Sequence, residues 1–563
     1  MRYTVYILCM GLCMVLQALG RSKVAAQLPR TSGMRELLQE VKNKDTLPSK
    51  LQPASFYLSP DQKLKRVEAL YLFEAGQQWL TKTRSSGLQL LADSLADAGV
   101  LSLGYQAASG GLHAPGTPYK ARSAQLSTWG FRTLGRVKVG GYFDYEKRWE
   151  DSLAAALSPA LDGITPYYYF TPKAGTYERQ LYKMGFNLGY DLVKQRLLIG
   201  LGLDYLHNSS YGSVDPRLVG THMQALFSAG IAYKKGGLLV GATLIKGYGS
   251  EQLDISYKNK RFQTGNSFPE RDYYLNMGYG SIIRKSDRVR RNLTDRLGAQ
   301  LDFAYQAKGL QLRGALGYGK RYQDSHSTPD TALSNDLLAR YSQGVYQGWL
   351  QLKSTKQNLV QLWQLGWERR NGHDANVIFN GRNYFALDNE LSLDYWRLPG
   401  KESGALKMEW GLGASYGTTQ RTDILSAHKL SSDYLNGHLS LSLLLEAKAG
   451  SLWRLSYTPQ VYFPLQIRAE VPMTQQNAFS ERVLYPMARY LSTKKLSSGL
   501  QLGYLSSSMI SGLYSGFELG VDYLGRLDNG VSSQLQNIDF LQKDAPSLGG
   551  SRLGFHLAFN IYL

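Results

Sequence analysis

From Gly99 onward, apolar side chains recur at every second position of the chain. In Arg196–Leu206 and Leu297–Tyr305 they alternate mainly with glycine or polar residues, and the same pattern returns around 406–416 and 513–523. A period of two is typical of a β-strand with one apolar face and one small or polar face. The alternating segments run to about 10–15 residues, which exceeds the about 5–6 residues of an ordinary strand and suits a tilted membrane-spanning strand.

The connections between these segments alternate between short and long. Short ones include 134–135 and 234–237, and long ones include 255–294 and 465–493. This asymmetry is typical of bacterial outer-membrane barrels. In hydrocarbon every strand edge must be paired, so a sheet that crosses the membrane must close on itself. The sequence therefore predicts an all-β protein, a closed antiparallel transmembrane β-barrel of about 18 strands, with 16 as the alternative.

The last residues of the chain strengthen this prediction. Phe555, Leu557, Phe559 and Ile561 alternate with other residues up to the terminal Leu563. The segment resembles the C-terminal strand that the barrel-assembly machinery of Gram-negative outer membranes recognises, although it ends in leucine instead of phenylalanine. The resemblance implies that machinery as a partner, and an integral outer-membrane location with lipid and lipopolysaccharide around the barrel.

The N-terminal region follows other patterns. Arg2 precedes the apolar stretch Tyr3–Leu19, and small residues before Gln27 suit cleavage after Ala26. We therefore predict a signal peptide over residues 1–26. The alternative is an uncleaved anchor helix, for which the apolar stretch is short.

The next segment has apolar positions at helical spacing, around 64–75 and again at Leu88, Leu91 and Leu95. Residues 27–97 are therefore predicted to form a short helical segment that lies in the periplasm or plugs the barrel, with a loosely ordered leader as the alternative. The barrel itself is assigned to residues 98–563.

Composition narrows the class of protein further. The 563 residues include 58 glycines and 39 tyrosines, with a net charge of +20 and a mean hydropathy of −0.30. Aromatic content and low charge density argue against disorder, and no apolar run beyond the N-terminus is long enough for a helical membrane bundle. Cys9 and Cys13 both lie in the predicted signal peptide, so the mature chain has no disulfide and no thiolate site.

Several loop residues resemble a known family. Pro166–Phe170 precedes Ala174–Tyr177 and Tyr182, and Tyr205 is followed by Asp215–Arg217. This order is similar to an uncharacterised family of outer-membrane β-barrel proteins of Bacteroidota, whose genes often lie near those of TonB-dependent receptors and surface lipoproteins. The resemblance implies a part in nutrient or metal uptake, with such a receptor or lipoprotein as partner, and it supplies no catalytic residues.

The densest run of positive charge lies in or beside a long loop. It is a candidate for binding lipopolysaccharide phosphates or another anion through point charges and guanidinium forks. A solvated loop is the alternative, and a role in fixing a turn is the alternative for Arg217. The candidate anion-binding or surface residues are Arg284, Lys285, Arg288, Arg290, Arg291 and Arg217.

Alternation also assigns cations to the lumen. They are interspersed with carboxylates, so they either make the lumen selective for anions or brace the wall as ion pairs. The candidate lumen residues are Lys183, Arg313, Lys407 and Arg454. The functional expectation is passage or capture of a small solute, as an accessory to nutrient or metal uptake, and the alternative is a structural or adhesive surface barrel that binds a partner through its long loops.

Other chemistries have weaker support. Glycines such as Gly200 and Gly202 alternate inside strands and open no helix, so they do not predict a nucleotide loop. His438, Ser440 and Ser442 share a strand face, but spacing alone does not establish a triad. The dispersed histidines do not predict a metal site, and an exported barrel does not meet nucleic acid. We expect no enzyme activity and no cofactor.

Overall fold

A computed structural model describes residues 71–562, apart from 94, 96, 160–164, 264–266, 286–288, 290, 328–336, 357–358, 400–405, 448–450, 511–512 and 529–547. The predicted signal peptide, the segment up to residue 70, and the candidate residues Arg288 and Arg290 lie outside this part. Among the helices described here, none is both long and apolar enough to cross a membrane.

Most of the described chain is β-structure. The strands are β1 (Asp97–Gly110), β2 (Lys120–Leu134), β3 (Val137–Leu153), β4 (Tyr168–Phe170), β5 (Gly175–Val193), β6 (Leu197–Gly212), β7 (Arg217–Lys235), β8 (Leu238–Ser256), β9 (Tyr274–Asn276), β10 (Ile282–Arg284), β11 (Arg291–Ala307), β12 (Leu310–His326), β13 (Leu337–Lys356), β14 (Leu359–Asn376), β15 (Tyr384–Pro399), β16 (Leu406–Asp423), β17 (His428–Glu446), β18 (Leu452–Glu470), β19 (Lys495–Ile510), β20 (Leu513–Arg526) and β21 (Ser551–Tyr562).

The helices are few and short. They are α1 (Glu74–Thr83), α2 (Gly87–Ala92) and α3 (Tyr485–Ser492), a π-helix at Ser480–Leu484, and 3-10 turns at Lys260–Phe262, Pro269–Arg271 and Met473–Gln475.

All strands except β4, β9 and β10 belong to one 18-stranded antiparallel sheet. Each strand pairs with its neighbour along the chain, and β1 pairs with β2 on one edge and with β21 on the other. The sheet therefore closes into a ring. The predicted closed barrel with a short N-terminal helical part is confirmed, and the strand count is 18 rather than 16.

The outer surface of the ring is apolar. Outward-facing leucines are exposed on this surface: Leu244 is 68% exposed and Leu297 is 63% exposed. An apolar band around a closed barrel is stable in hydrocarbon, where the closed ladder leaves no backbone group unpaired. The protein is an integral outer-membrane barrel, as the sequence predicts.

The two ends of the barrel differ. We call "turn end" the end at which tight connections such as Lys235–Leu238 and Ala307–Leu310 join strands, and "loop end" the end with long connections. At the loop end, β4, β9 and β10 form a separate sheet. Phe170 of this sheet contacts Tyr274 and Phe479, with ring centroids 5.3 Å and 5.7 Å apart, so the long loops share an apolar core of their own.

Candidate functional site

Helices α1 and α2, with the residues around them from 71 to 93, are called the luminal helices here. They hydrogen bond to β1, β5, β11, β13 and β16. These strands lie on different sides of the closed ring. A segment that reaches all of them must lie inside the barrel, so the luminal helices occupy the lumen.

Arg313 of β12 is the main polar anchor of the luminal helices. Its guanidinium lies 3.6 Å from the ring centroid of Trp79, donates to Thr83 Oγ1 at 2.7 Å and lies 3.4 Å from Asp93 Oδ2. Asp93 also accepts from Trp79 Nε1 at 2.8 Å and from Thr83 Oγ1 at 2.6 Å. Burying a charge is costly unless it is paired and hydrogen-bonded, and here both charges are.

Helix α2 approaches the wall closely because both surfaces carry glycine. A Cβ added at Gly87 would lie 2.9 Å from Gly200 Cα, and one added at Gly200 would lie 2.8 Å from the backbone nitrogen of Leu88. Leu88 itself is buried against Ala232 and neighbouring wall residues. The small residues of the alternating strands therefore make room for the helix.

At the loop end, residues 154–159 and 165–170 form a segment that we call the ceiling loop. The hydroxyl of Tyr167 donates to the Asp374 carboxylate and accepts from Asn376 Nδ2 at 3.0 Å. Ser158 donates to Glu251 Oε1 at 2.7 Å. Tyr167 is buried and has φ of +64°, a left-handed conformation that bulky residues rarely adopt. The ceiling loop is thus fixed to β8 and β14.

A second inward segment lies beside the ceiling loop. Asp423 of β16 accepts hydrogen bonds from the backbone nitrogens of Tyr279 and Ser281, at 2.8 and 2.9 Å, and from Ser281 Oγ at 2.8 Å. Asn477 Nδ2 donates to the carbonyl of Gly280 at 2.9 Å. Asp423 of the wall and Asn477 of the β18–β19 connection therefore hold the turn between β9 and β10.

A cavity of about 470 Å³ lies under the ceiling loop, against the wall formed by β7, β8 and β11–β14. Its ceiling includes Tyr167 and Ser158, and its wall is rich in amide and charged side chains. Wall residues that alternation directs inward include Arg296, Arg321, Gln323, Gln347, Glu368 and Arg370.

The charges of this cavity are arranged by the strand register. Arg296 on β11 is directly opposite Arg321 on β12. Arg321 donates to Gln323 Oε1 at 2.9 Å. Arg370 forms an ion pair with Glu368 on its own strand. Cationic side chains thus cluster on one part of the wall.

The predicted lumen residues all take lumen-facing positions in the register, but none of them lines the cavity. Arg313, Lys407 and Arg454 lie near the turn end, where Arg454 Nη1 is 3.9 Å from Glu518. Lys183 lies midway along β5, opposite Asp144. The structure therefore places three of the four near the turn end, and Arg313 contacts the luminal helices through side-chain hydrogen bonds.

The predicted surface residues that are described take part in the loop structure. Arg284 and Lys285 contact the buried Asp272 at 2.5 and 3.0 Å, and this contact raises the pKa of Arg284. Arg291 begins β11. The charges of Arg284 and Lys285 are thus partly neutralised within the loop.

Arg217 lies 2.8 Å from Asp215, which also accepts from the backbone nitrogens of Lys258 and Asn259. Burial alone would raise the pKa of Asp215, but these hydrogen bonds and Arg217 outweigh it and lower that pKa. Arg217 therefore helps to fix the short β6–β7 connection to the start of the next loop.

The sequence reasoning missed Arg296, Arg321 and Arg370. A usable signal was present, because Arg296 directly precedes the alternating stretch Leu297–Tyr305 and so shares the face of Gln300 and Asp302. Among the described residues, no group of three or more His, Cys, Asp or Glu could hold a metal ion.

Residues 88–563 match the model of a protein family described as "Family of unknown function (DUF6850)", and the chain belongs to this family. No curated protein matches the chain. Among solved structures, it is similar to the ferric yersiniabactin uptake receptor of Yersinia pestis, with a TM-score of 0.40 and 7% identity over 83% of this chain and 80% of that one. It is also similar to the ferric preacinetobactin receptor of Acinetobacter baumannii, with a TM-score of 0.38 and 9% identity over 82% and 80% of the two chains.

Proposed function

We propose that this member of the family captures a small solute inside its barrel and admits it by local opening of the lumen, as an accessory to a nutrient or metal uptake system. The observation that carries the proposal is the occupied lumen, with the luminal helices near one end, inward loops at the other, and a cavity of about 470 Å³ under the ceiling loop. An empty barrel of this size would be wide enough for an aqueous channel. Chain inside the lumen favours binding of a solute over its free diffusion.

The orientation follows from the connections. Bacterial outer-membrane barrels have short periplasmic turns and longer external loops. With the loop end outward, the ceiling loop stands between the external medium and the cavity, and the luminal helices stand on the periplasmic side. A solute would pass the ceiling loop first, bind in the cavity, and leave past the luminal helices.

Conductance in planar bilayers tests this proposal. The full mature chain is expected to show low, flickering conductance, because both ends of the lumen are occupied. A variant that begins at residue 94, without the luminal helices, is expected to conduct more than the full chain, because only its loop end is then occupied. Heat-modifiable migration on a gel and a β-type circular dichroism spectrum check that both proteins are folded.

Two results would contradict the proposal. A large, steady conductance of the full chain would identify an open pore. A folded variant without the luminal helices that conducts no better than the full chain would show that these helices do not close the lumen.

Exposed apolar side chains at the loop end favour a second candidate function, binding of a partner protein. Val377, Ile424, Leu425 and Met473 are exposed on three successive loops. Contiguous apolar groups at a surface mark interaction sites more often than isolated ones do. A TonB-dependent receptor or a surface lipoprotein is the partner that we propose.

A photo-crosslinking residue at position 424, used in native membranes and read by mass spectrometry, tests this second candidate. The expected product contains such a receptor or lipoprotein. The same residue at position 217, beside Asp215 in the ion pair described above, is the control and should give no such product. Equal labelling at both positions would remove this candidate.

A further inference from the structure

We propose that the outer surface of β12–β14, near the loop end, binds the phosphorylated headgroup of a glycolipid of the lipopolysaccharide class, and that Lys320 and Arg369 hold its phosphate. We call these two residues the outer cation pair. This inference goes beyond the proposed function, because it concerns the outside of the barrel and not the solute in the lumen. It uses only the orientation argued there, with the loop end outward.

The outer cation pair faces away from the lumen. Lys320 lies two residues beyond Tyr318 on β12, and Arg369 lies two residues beyond Trp367 on β14. All four side chains are exposed, whereas the positions between them are half-buried and face the lumen. Because side chains alternate along a strand, the pair continues the outward row that forms the apolar band.

The aromatic residues beside the pair mark the height of the membrane surface. Tyr318 contacts Tyr346 of β13, with ring centroids 4.7 Å apart, and Tyr346 is directly opposite Arg369. Trp367 Nε1 donates to Asn389 Oδ1 at 3.0 Å. Tyrosine and tryptophan of membrane barrels concentrate at the membrane–water interface, at the level of the lipid headgroups. The pair lies on the loop side of these aromatic rings, and so at the phosphate level of the external leaflet.

The nearby carboxylates are engaged by other cations. Asp324 accepts two hydrogen bonds from the guanidinium of Arg340, both at 2.7 Å. Asp295 forms an ion pair with Lys246. Among the described residues, the outer cation pair has no ion-pair partner and no side-chain hydrogen bond. Its two charges are therefore free to bind a ligand.

The charge of this surface differs from that of other outward strands. Towards the loop end, β17 and β18 carry equal numbers of opposite outward charges, Lys429 and Arg468 with Asp433 and Glu470, and Lys429 Nζ is 3.7 Å from Glu470 Oε1. On β11–β14 the described outward charges are mostly cations. They are Arg291, Lys320, Arg340 and Arg369, with Asp295 and Asp324. A surplus of positive charge above an apolar band complements an anionic lipid.

The two cations are close enough to reach one headgroup. Lys320 is opposite Gly344 of β13, which is opposite Asn371 of β14, two residues from Arg369. At ~4.8 Å between strands and ~3.3 Å per residue, the two α-carbons are ~12 Å apart. A Cβ added at Gly344 would lie 2.6 Å from Asn371 Oδ1, so the Asn371 amide lies over the glycine. The ammonium, the guanidinium and this amide thus surround one position on the outer surface.

This arrangement suits a lipid phosphate better than free phosphate. Hydrogen bonds from cations to phosphate are strong, and a guanidinium can form two in parallel. An exposed cation pair alone, however, is screened by water and salt and binds a free ion weakly. A lipid adds the burial of its acyl chains. These chains would lie along Leu316 and Leu365, which are exposed on the membrane side of the aromatic rings.

Native mass spectrometry of the purified full mature chain in detergent, at low ionic strength, tests the proposal. The probes are phosphorylated lipid A and the same lipid after enzymatic removal of its phosphates, and inorganic phosphate serves as competitor. The phosphorylated lipid should form a saturable one-to-one complex. The dephosphorylated lipid should bind at least about tenfold more weakly, because it lacks the charge-assisted hydrogen bonds. Inorganic phosphate should not displace the lipid.

The double variant Lys320→Gln/Arg369→Gln should weaken binding of the phosphorylated lipid by at least about tenfold. The single variant Arg369→Lys keeps the charge without the fork and should lose less than Arg369→Gln. The matched control is Lys429→Gln/Arg468→Gln, which removes the same charge from outward positions at the same end of the barrel. It should bind as the unchanged chain does.

Three results would overturn the inference. Equal affinity for the two lipids would show that the phosphate is not recognised, and equal losses in the two double variants would show that only net charge matters. Displacement of the lipid by inorganic phosphate would assign the pair to the free ion. Unchanged binding in a folded Lys320→Gln/Arg369→Gln variant would place the lipid elsewhere. The conductance experiment decides the proposed function separately, because no step of solute capture depends on this outer surface.

Discussion

The two ends of the lumen are occupied in different ways. Near the turn end a single segment, the luminal helices, packs on glycines of the wall and is held by the buried Arg313–Asp93 pair. At the loop end several separate segments fold inward, and aspartates of the wall hold them by hydrogen bonds to Tyr167, Tyr279 and Ser281. At the turn end the contacts all belong to one segment of two short helices, whereas at the loop end they belong to several segments that are held separately.

This difference predicts how each end responds to damage. A cooperative plug fails as a unit when its anchor is lost, because its contacts share the same short helices. Dispersed hydrogen bonds fail one by one, each with a small effect. The four predictions below test this contrast, beginning with the largest expected effect.

Asp93→Ala should release the luminal helices. It leaves Arg313 buried without its carboxylate, and breaking a buried ion pair costs about 3–5 kcal/mol. We expect rapid hydrogen exchange over residues 74–92 and raised conductance. The control is Asp295→Ala, whose partner Lys246 is exposed; it should change neither quantity. Slow exchange in Asp93→Ala would show that the anchor lies elsewhere.

Gly200→Ala should loosen the same helices by steric means. Its Cβ would lie 2.8 Å from the backbone of Leu88, whereas a Cβ at the lumen-facing Gly503 would meet its nearest atom at 3.6 Å. Overpacking of this kind costs typically about 1–3 kcal/mol. Hydrogen exchange of α2 should therefore rise in Gly200→Ala and not in Gly503→Ala. Equal exchange in the two variants would refute close packing as the basis of the fit.

Tyr167→Phe should open the loop end slightly and leave the turn end unchanged. It removes one donor from the buried Asp374, at a cost of about 1–3 kcal/mol. Because the predicted mature chain lacks cysteine, a Gln347→Cys substitution in the cavity wall reports access to a small maleimide. We expect labelling a few-fold faster in the Tyr167→Phe background, with unchanged exchange over residues 74–92. Faster exchange there would show that the two ends are coupled.

The smallest expected effect concerns pH. Burial raises the pKa of Asp93, but Arg313 and the Thr83 hydrogen bond outweigh it, so the pKa is lowered. A lowered pKa gives stability that is complete above the unfolded value of about 3.9 and is lost as the pH falls through the folded value. Exchange of the luminal helices, corrected for its intrinsic pH dependence, should therefore be constant between about pH 5 and 8. A marked rise within that range would mean that another group controls the anchor.

Much of the barrel could be predicted from the sequence, because a strand pattern is local. The alternation in Leu297–Tyr305 depends only on which face of one strand meets lipid, and it also assigned Lys183, Arg313, Lys407 and Arg454 to the lumen-facing register. The helical spacing at Leu88 and Leu91 likewise indicated α2. Each of these inferences needs no knowledge of neighbouring strands.

The site could not be predicted in the same way. To predict that Arg296 lies opposite Arg321, one must know the register of β11 against β12. To add Arg370, one must also know the registers of β12 against β13 and of β13 against β14. The densest run of charge, by contrast, drew attention to Arg284 and Lys285, which the fold pairs with Asp272. Charge density along the chain therefore says little about charge density in space when long loops fold back.

The short connection between α2, which ends at Ala92, and β1, which begins at Asp97, has a mechanical consequence. About four residues of extended chain reach at most ~14 Å. Because β1 pairs with β2 on one side and with β21 on the other, its start is fixed. Luminal helices that leave their position therefore remain within this distance of the start of β1. A connection this short keeps the helices at an effective concentration in the millimolar range relative to their binding position in the lumen. If the luminal helices leave the lumen as we propose, this connection acts as a hinge, and the barrel can shut again without any partner to return them.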